Sequence, residues 1–347
     1  MERDVDELRK ELLEQYQAAH ESIVWHDRSS TGKIIVRGED RFTWLQGMIS
    51  NDTKKLAKDS HSSPIQACLL DATGHIISEL TLSSWKLADV DPKILAQLNR
   101  LDDFIMIDLP AETLKNTLRL LDRYLITEDV ELIDATERLG CIALLGDRLS
   151  VLERLTGIAI QIETKVGEIS GANVYFVEAD REAVMQIIRE HNILELDPEA
   201  VEILRVEAGV PKYGAELDES VIALEAGLGP THISFTKGCY VGQEIIARID
   251  SRGHTNRALT GFLIQSGTLP AVGSKLYAAT EEGWKETGRL TSVISESPSM
   301  GFKPIALGYS RHEHRTPGTT LSAGDVTMEV RAEVVEIPFR ADSVTMY

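Results

Sequence analysis

The 347-residue sequence changes in character near residue 255, and this change constrains its fold more than any other feature. Up to about residue 250, apolar strand-like runs alternate with segments of helical periodicity. From Arg257 onward, short strands separated by Gly and Pro turns follow without a helical period, which is typical of a small all-β barrel or sandwich. We therefore predict an amphipathic helix packed on the body over residues 1–25, an α+β region over 26–250 and a β domain over 255–347.

The α+β region contains a repeated order of elements. A strand at 33–37 leads into Gly38-Glu39-Asp40-Arg41 and a helix, and a strand at 141–145 leads into Gly146-Asp147-Arg148 and a second helix. Further helices are predicted at 92–101 and 111–124. Two strand–helix–strand units with similar turns indicate a duplicated α+β unit. We place the two subdomains at about 26–137 and 138–250.

Composition limits the classes of function. The chain carries a formal charge of −19; residues 231–347 hold 12 Lys+Arg and 12 Asp+Glu, so the first 230 residues carry the whole excess. Such a surface repels polyanions, which argues against direct nucleic-acid binding. No apolar run approaches the roughly 18–20 residues of a membrane span, and the acidic start of the chain does not resemble a secretory signal. We expect a cytoplasmic protein without a membrane partner.

The three cysteines differ in their surroundings. Cys68 and Cys141 lie in apolar strand-like runs and are expected in the core, so no disulfide framework is predicted. Cys239 lies in the Cys239 segment (residues 234–244), which reads Ser-Phe-Thr-Lys-Gly-Cys-Tyr-Val-Gly-Gln-Glu. The nearby Lys237 would favour the thiolate, and the glycines allow a ligand or backbone to come close. Cys239 and Lys237 are thus the candidate catalytic residues.

The Cys239 segment resembles the signature of the YgfZ family, folate-binding proteins related to the aminomethyltransferase (T-protein, GcvT) of glycine cleavage. Segments at 38–47, 69–74, 204–211 and 306–311 match further landmarks of that family in the same order. The resemblance implies an α+β, GcvT-like fold of two tandem ferredoxin-like subdomains followed by a C-terminal antiparallel β-barrel. It also implies a non-covalently bound tetrahydrofolate or derivative, iron–sulfur client proteins as partners, and an accessory role in iron–sulfur cluster assembly or repair that indirectly supports tRNA modification.

Several residues are candidates for contacting the folate. Trp25 and Trp44 could form flat walls for the pteridine ring or fill a core. Arg205 and Glu207 could serve the ring edge or the tail, or could form a structural ion pair. The remaining candidates follow the thiol: Tyr240, Gln243 and Glu244, which could cap the turn, and Arg248, which together with Arg252 and Arg257 offers a site for an anionic folate tail.

The alternative function is a folate-dependent aminomethyl or one-carbon transferase. T-proteins carry an acidic pair after the first hairpin, and the pair aligns with Ser78 and Glu79, so one carboxylate is missing. A Gly-Tyr-Thr-Gly-Glu run near residues 171–175 is also missing. These departures disfavour glycine cleavage and a conventional enzyme. Cys239 could instead bind iron, act as a redox or sulfur nucleophile, or pack; His312 and His314 are not expected to form a metal site.

Overall fold

The computed structural model describes residues 5–56, 64–86, 90, 92, 103–146, 149–265 and 268–340. The helices are α1 (Val5–Glu21), α2 (Arg41–Met48), α3 (Leu114–Arg123), α4 (Leu149–Leu155), α5 (Arg181–Glu190), α6 (Pro198–Glu207), α7 (Gly229–His232) and α8 (Gln243–Arg252). The strands before residue 200 are β1 (Val24–Asp27), β2 (Gly32–Arg37), β3 (Ile65–Leu70), β4 (Ile76–Trp85), β5 (Phe104–Leu109), β6 (Glu131–Asp134), β7 (Leu139–Leu145), β8 (Ala159–Val166), β9 (Ile169–Val177) and β10 (Leu194–Glu195). The strands after residue 250 are β11 (Arg257–Gln265), β12 (Lys275–Thr280), β13 (Gly283–Ser297), β14 (Lys303–Arg311), β15 (Thr320–Ala323) and β16 (Arg331–Val335).

The first sheet has the strand order β3-β4-β5-β2-β6. Without the edge strand β3, the order is that of a ferredoxin-like unit, in which β2, β4, β5 and β6 are the successive strands. One face packs under α2 and α3, where a cluster that includes Trp44, Leu45, Leu80, Ile107 and Leu121 is buried. The other face is directed toward the second sheet.

The second sheet has the order β10-β1-β7-β9-β8. It repeats the ferredoxin-like order, with β1 inserted between β10 and β7. Although β1 precedes the whole first unit in the chain, it pairs parallel to β10 and antiparallel to β7. The segment around residues 24–27 therefore belongs to the second sheet, while β2 begins the first.

The C-terminal strands close into a barrel in the order β11-β14-β13-β12-β15-β16. Its interior is apolar and includes Phe262, Leu290, Leu321 and Val334. Helix α6 packs on the outside of the barrel through Ile203 and Val206, and α1 contacts α6, where Ala19 and Leu204 share a buried cluster. The predicted fold class is confirmed. In the structure, α1 packs against α6.

The two sheets meet at one region of their facing surfaces. An apolar group, the inter-sheet cluster, joins Trp85, Phe104 and Met106 of the first sheet to Cys141 and Tyr175 of the second. Because strand side chains alternate, this face continues along β5 to Asp108 and along β9 back to Asn173. The facing surfaces thus change from apolar to polar, and a cavity begins there.

The predicted elements agree with the structure in type, and differ at their ends. The strands predicted at 33–37 and 141–145 are found as Gly32–Arg37 and Leu139–Leu145, and the helix predicted at 111–124 is α3 preceded by a short 3₁₀ turn over Ala111–Thr113. The helix predicted at 92–101 lies outside the described residues except for Pro92, as do Asp147 and Arg148 of the repeated turn. Cys68 and Cys141 are buried, as predicted.

Candidate ligand-binding site

A cavity of about 450 Å³, the central cavity, lies between the facing surfaces of the two sheets. The first sheet contributes Glu79 and Asp108, and the second contributes Asn173. His26 and Arg28, in and just after β1, lie on its wall, and the segment after α6 closes another side with Val210–Tyr213. Residues from three separate parts of the chain therefore meet there, which is typical of a ligand pocket at the junction of folded units.

Glu79 lines the central cavity, and its surroundings raise the pKa of its carboxyl. Burial raises the pKa of its carboxyl from the ordinary 4.5 to about 7; the positive charge of Arg28 opposes the shift, and the negative charge of Asp108 adds to it. A carboxyl with this pKa is partly protonated at neutral pH. It can therefore donate a proton to a bound molecule or accept one from it.

Ser78, the neighbour of Glu79, faces the other side of β4. Its hydroxyl is fully buried and lies 2.7 Å from Oγ1 of Thr113, beside α3. Because successive strand residues point to opposite faces, only position 79 of the aligned pair reaches the central cavity. The serine at position 78 therefore removes no carboxylate from the cavity, and it does not count against a transferase.

Asp108 holds a polar network at the cavity wall. Its carboxylate accepts hydrogen bonds from Arg28 Nη2 at 3.1 Å, Thr31 Oγ1 at 3.0 Å and Tyr175 OH at 2.8 Å. Burial and the negative charge of Asp108 raise the pKa of Tyr175 well above its usual range, so the phenol stays protonated and donates. Asp108 thus fixes the orientation of Arg28, which lines the cavity.

Two histidines on the cavity wall are neutral at physiological pH. Burial lowers the pKa of His26 and of His232 to about 4 in each case. The Nδ1 atom of His232 lies 2.7 Å from Oγ1 of Thr231, which leaves its other ring nitrogen as the group for a ligand. Both imidazoles can therefore offer neutral hydrogen-bonding groups rather than charge.

Arg205 is the one predicted folate-binding residue that lines the central cavity. Its guanidinium donates to Glu202 at 2.6 Å, to Glu216 at 2.8 Å and to Oγ of Ser292 in the barrel at 2.8 Å. Arg205 was a candidate either for a folate contact or for a structural ion pair, and the structure contains an ion pair. The partners are Glu202 and Glu216 rather than Glu207. The hydrogen bond to Ser292 joins α6 to β13.

Three other residues predicted to contact the folate lie elsewhere: Trp25 and Trp44 in hydrophobic cores, and Glu207 where α1, α6 and the barrel meet. Trp25 is buried with Ile142 and Phe176 under the helices of the second sheet, and Trp44 is buried on the helix side of the first sheet. Glu207 accepts hydrogen bonds from Tyr16 OH and Ser297 Oγ, between α1, α6 and the barrel. None of these three side chains lines the central cavity.

Lys237 is bound by backbone carbonyls of a distant segment, a contact that the sequence did not indicate. Its Nζ donates to the backbone carbonyl oxygens of Gln46 at 2.7 Å, Ile49 at 2.6 Å and Asn51 at 2.8 Å. Burial lowers its pKa to about 8. The three donors of the ammonium are therefore taken by the C-terminal end of α2 and the turn after it, whereas Cys239 is exposed.

The rest of the Cys239 segment leads into α8. Tyr240 is buried, with Lys237 Nζ 5.1 Å from its ring centroid, and its backbone carbonyl accepts from the N–H of Gln243. Glu244 and Arg248 form an exposed i,i+4 ion pair at 2.9 Å. These residues lie outside the lining of the central cavity, and so does Arg257, which pairs with Glu225.

A glycine fixes this segment against the β3–β4 turn. Gly242 has φ +83°, and a Cβ there would lie 2.5 Å from the carbonyl oxygen of Asp71. Only glycine combines this backbone conformation with so close an approach. The contact places the start of α8 beside the hairpin whose second strand carries Glu79.

Several site residues were missed in the sequence. Arg28, Asp108 and Asn173 belong to no motif that we recognised, although one signal was available. Asp108 interrupts the apolar run of β5 and Asn173 interrupts that of β9, so each places a polar group in a strand that is otherwise apolar there. Across the described ranges, no group of three His, Cys, Asp or Glu side chains is arranged to hold a metal, and no helix is long and apolar enough to cross a membrane.

Comparison with known proteins supports the same superfamily. The chain is 23% identical over 352 residues to an aminomethyltransferase of Halothermothrix orenii, covering 94% of this chain and 91% of the relative. It is 24% identical over 354 residues to an aminomethyltransferase of Geobacillus sp., covering 94% and 90%. No family model matches the chain.

A solved structure shows the same fold. The crystal structure of glycine cleavage system aminomethyltransferase T from Bartonella henselae matches with a TM-score of 0.78, covers 95% of this chain and 90% of that protein, and is 17% identical in sequence. The solved structure shows that the fold is GcvT-like, and the two relatives support the GcvT-like superfamily. These similarities do not distinguish the YgfZ family within it.

Proposed function

We propose that the protein binds a reduced folate, tetrahydrofolate or a derivative, in the central cavity and catalyses a one-carbon transfer of the aminomethyltransferase class. The observation that carries the proposal is Glu79, a carboxyl with a pKa of about 7 that lines the cavity. The curated relatives, which are named aminomethyltransferases, favour this function over the accessory role in iron–sulfur assembly.

The central cavity suits a ligand of this kind. Its volume of about 450 Å³ falls within the roughly 300–1,000 Å³ of small-molecule sites. Apolar residues such as Ala143, Leu145 and Val166 line its walls together with a few polar groups. A folate combines a flat ring that needs apolar walls with ring nitrogens and carboxylates that need polar partners.

Glu79 would handle the proton of the reaction. When an amine is displaced from a one-carbon unit, the departing nitrogen gains a proton and the attacking folate nitrogen loses one. Glu79 can supply or remove such a proton because its two protonation states are close in free energy near pH 7. Arg28, held by Asp108, would keep a positive charge beside the carboxylate whenever Glu79 is ionised.

Glu79→Gln tests this role. The purified protein is supplied with tetrahydrofolate and an aminomethylated carrier protein, and the production of methylenetetrahydrofolate and ammonia is measured. We expect Glu79→Gln to lower the rate by roughly 10²–10⁴-fold, as is typical for loss of a general acid–base group. Glu282→Gln, which changes an exposed carboxyl of the β12–β13 hairpin, should keep the wild-type rate. A Glu79→Gln variant with the wild-type rate would refute the proposal.

The exposed thiol of Cys239 favours a second candidate function. Because thiolates are the usual ligands of iron–sulfur clusters, an exposed cysteine in the Cys239 segment is consistent with an accessory protein that binds folate and assists iron–sulfur client proteins. Such a protein would act indirectly on tRNA modification and needs no transfer reaction of its own.

Complementation separates the two functions. A strain that lacks this protein is rescued with the wild type, with Glu79→Gln or with Cys239→Ala, and the activity of an iron–sulfur enzyme that performs tRNA modification is measured. The transferase function predicts that Glu79→Gln fails and Cys239→Ala rescues. The accessory function predicts that Cys239→Ala fails while the purified wild type shows no transfer activity.

A further inference from the structure

A second cavity, the barrel cavity, lies toward one end of the C-terminal barrel and has a volume of about 520 Å³. Residues 259–261 of β11 form one wall, and residues 335–337, at the end of β16 and just after it, form another. The third wall is the loop between β14 and β15, through His312 and residues 315–317. None of these residues lines the central cavity, so the two cavities are separate.

The loop between β14 and β15 is fixed to the barrel at both of its ends. The backbone N–H of His312 donates to the carbonyl oxygen of Asn256 at 2.9 Å, just before β11. The backbone N–H of Gly318 donates to the carbonyl oxygen of Val334 on β16, also at 2.9 Å. These hydrogen bonds hold the intervening backbone, which carries Arg315, beside the barrel cavity.

Arg315 brings an unpaired donor to this wall. Its Nε atom is buried and has no hydrogen-bond partner among the described residues, while its Nη2 donates to Nδ1 of His312 at 2.5 Å. Because Nη2 carries two N–H bonds, one of them remains beside the Nε–H on the same edge of the guanidinium. A buried charged donor without an acceptor is costly, so this edge needs a partner that the chain does not supply.

The free edge of the guanidinium selects an oxyanion. Its two parallel N–H donors match the two oxygens of a carboxylate or a phosphate. His312 adds a third donor: since its Nδ1 accepts from Arg315, the neutral ring carries its proton on Nε2. The donors of this wall therefore suit an anion better than a cation.

The remaining walls of the barrel cavity define the kind of anion. Leu259, Val335 and Ile337 supply apolar side chains, which need an apolar part of the ligand. Glu336 also lines the cavity and is exposed, and its carboxylate would repel a second negative charge. A ligand with one negative charge fits this lining better than a phosphate group, which carries about −1.5 to −2 at pH 7.

We propose that the barrel cavity binds a small organic monocarboxylate. The carboxylate pairs with Nε and Nη2 of Arg315, and the apolar chain of the ligand contacts Leu259, Val335 and Ile337. This is a second ligand site on the protein, and it does not depend on folate binding in the central cavity.

The test uses hexanoate, which combines a carboxylate with a short apolar chain. NMR of the protein with labelled histidine side chains follows the ring of His312, whose signal is identified by its loss in His312→Gln. Hexanoate should shift this signal in a saturable way. Hexanol lacks the carboxylate and inorganic phosphate lacks the apolar chain, so both should bind at least about 10-fold more weakly.

Substitutions of Arg315 test the role of the guanidinium edge. Arg315→Met and Arg315→Lys should both weaken hexanoate binding by about 10-fold or more, because lysine keeps the charge but not the planar pair of donors. Arg311→Met is the matched control, since it removes a positive charge from an exposed position at the end of β14, outside the cavity lining. This variant should bind hexanoate as the wild type does.

Several outcomes would overturn the proposal. Hexanoate could leave the His312 signal unchanged, or could shift only the signals of His26 and His232 in the central cavity. Wild-type affinity in Arg315→Lys, or an equal loss in Arg311→Met, would mean that general charge and not the guanidinium edge attracts the ligand. Should the Arg315 variants fail to fold, the wild type still decides, because equal binding of hexanoate and hexanol, or of hexanoate and phosphate, refutes the proposed ligand class.

Discussion

Arg28 Nη2 donates a hydrogen bond to Asp108 Oδ1 at 3.1 Å, and this contact joins the chain after β1 of the second sheet to β5 of the first. Tyr175 OH, on β9 of the second sheet, donates to the other carboxylate oxygen at 2.8 Å. Asp108 thus connects the two sheets at the edge of the central cavity. The polar network that borders the site also holds its walls together.

Asp108→Asn should destabilise the protein and change the titration of Glu79. The substitution removes the charge that faces Arg28 and weakens the hydrogen bonds from Arg28 and Tyr175, at a cost of about 2 kcal/mol in the free energy of unfolding. The pKa of Glu79 should fall, because the negative charge of Asp108 raises it. Urea unfolding measures the first effect, and carboxyl NMR the second. A variant of unchanged stability would show that the network does not hold the sheets together.

The raised pKa of Glu79 predicts a specific pH dependence of stability. Between pH 4.5 and about 7 the carboxyl is ionised in the unfolded chain and still protonated in the folded one. The unfolded state therefore binds fewer protons, and the contribution of Glu79 to stability falls as the pH rises through this window. Below pH 4.5 the contribution is fully present, and above about 8 it has been lost.

Urea unfolding of wild type and Glu79→Gln at several pH values measures this contribution. The difference in the free energy of unfolding, wild type minus variant, should decrease from pH 4.5 to 7 and then become constant. The same difference for Glu282→Gln, an exposed carboxyl, should stay flat. Parallel curves for wild type and Glu79→Gln would mean that Glu79 titrates as an ordinary carboxyl.

Lys237→Met should act on stability and not on the thiol. Methionine keeps the apolar stem but leaves three backbone carbonyls, at the C-terminal end of α2 and in the turn after it, without their donor, at a cost of about 3 kcal/mol in the free energy of unfolding. Lys285→Met, at an exposed lysine of β13, should cost less than about 0.5 kcal/mol. If the folded Lys237→Met variant lost the maleimide reactivity of Cys239, the ammonium would have an activating role after all.

The three thiols should react with maleimide at very different rates in the native protein. Cys239 is exposed and should be labelled within minutes, whereas Cys68 and Cys141 are fully buried and burial raises the pKa of both thiols. Mass spectrometry of peptides after brief labelling measures this order. Labelling of Cys68 or Cys141 before Cys239 would contradict the placement of the Cys239 segment at the surface.

The sequence predicted the fold better than the site. The repeat of strand, helix and strand indicates a duplicated α+β unit, and the change near residue 255 indicates a β barrel or sandwich, because periodicity reports which faces are buried. The two ferredoxin-like subdomains and the choice of a barrel are implied by the family resemblance. Contacts between segments far apart in the chain produce no local periodicity in the sequence, so they could not be predicted from it. That β1 belongs to the second sheet and that Lys237 binds the turn after α2 follow from tertiary contacts over 100 or more residues.

The outcome for the candidate site residues has the same cause, because their tertiary surroundings could not be predicted from the sequence. The flat rings of Trp25 and Trp44 suggest walls for a pteridine ring, but a tryptophan in a strand or helix also fits a core, and both lie in cores. Arg205 lines the cavity, yet nearby acids occupy its donors. Glu79 was noted through its aligned position, and its importance became clear only from the alternation along β4, which directs it into the cavity and directs Ser78 away.

A crystal structure of the protein with 5-formyltetrahydrofolate would test the central claim most directly. The account predicts one ligand between the two sheets, with a polar ligand atom within hydrogen-bond distance of the Glu79 carboxyl. A ligand bound outside this cavity, for instance beside Arg248 on α8, or an empty central cavity at saturating ligand would contradict it.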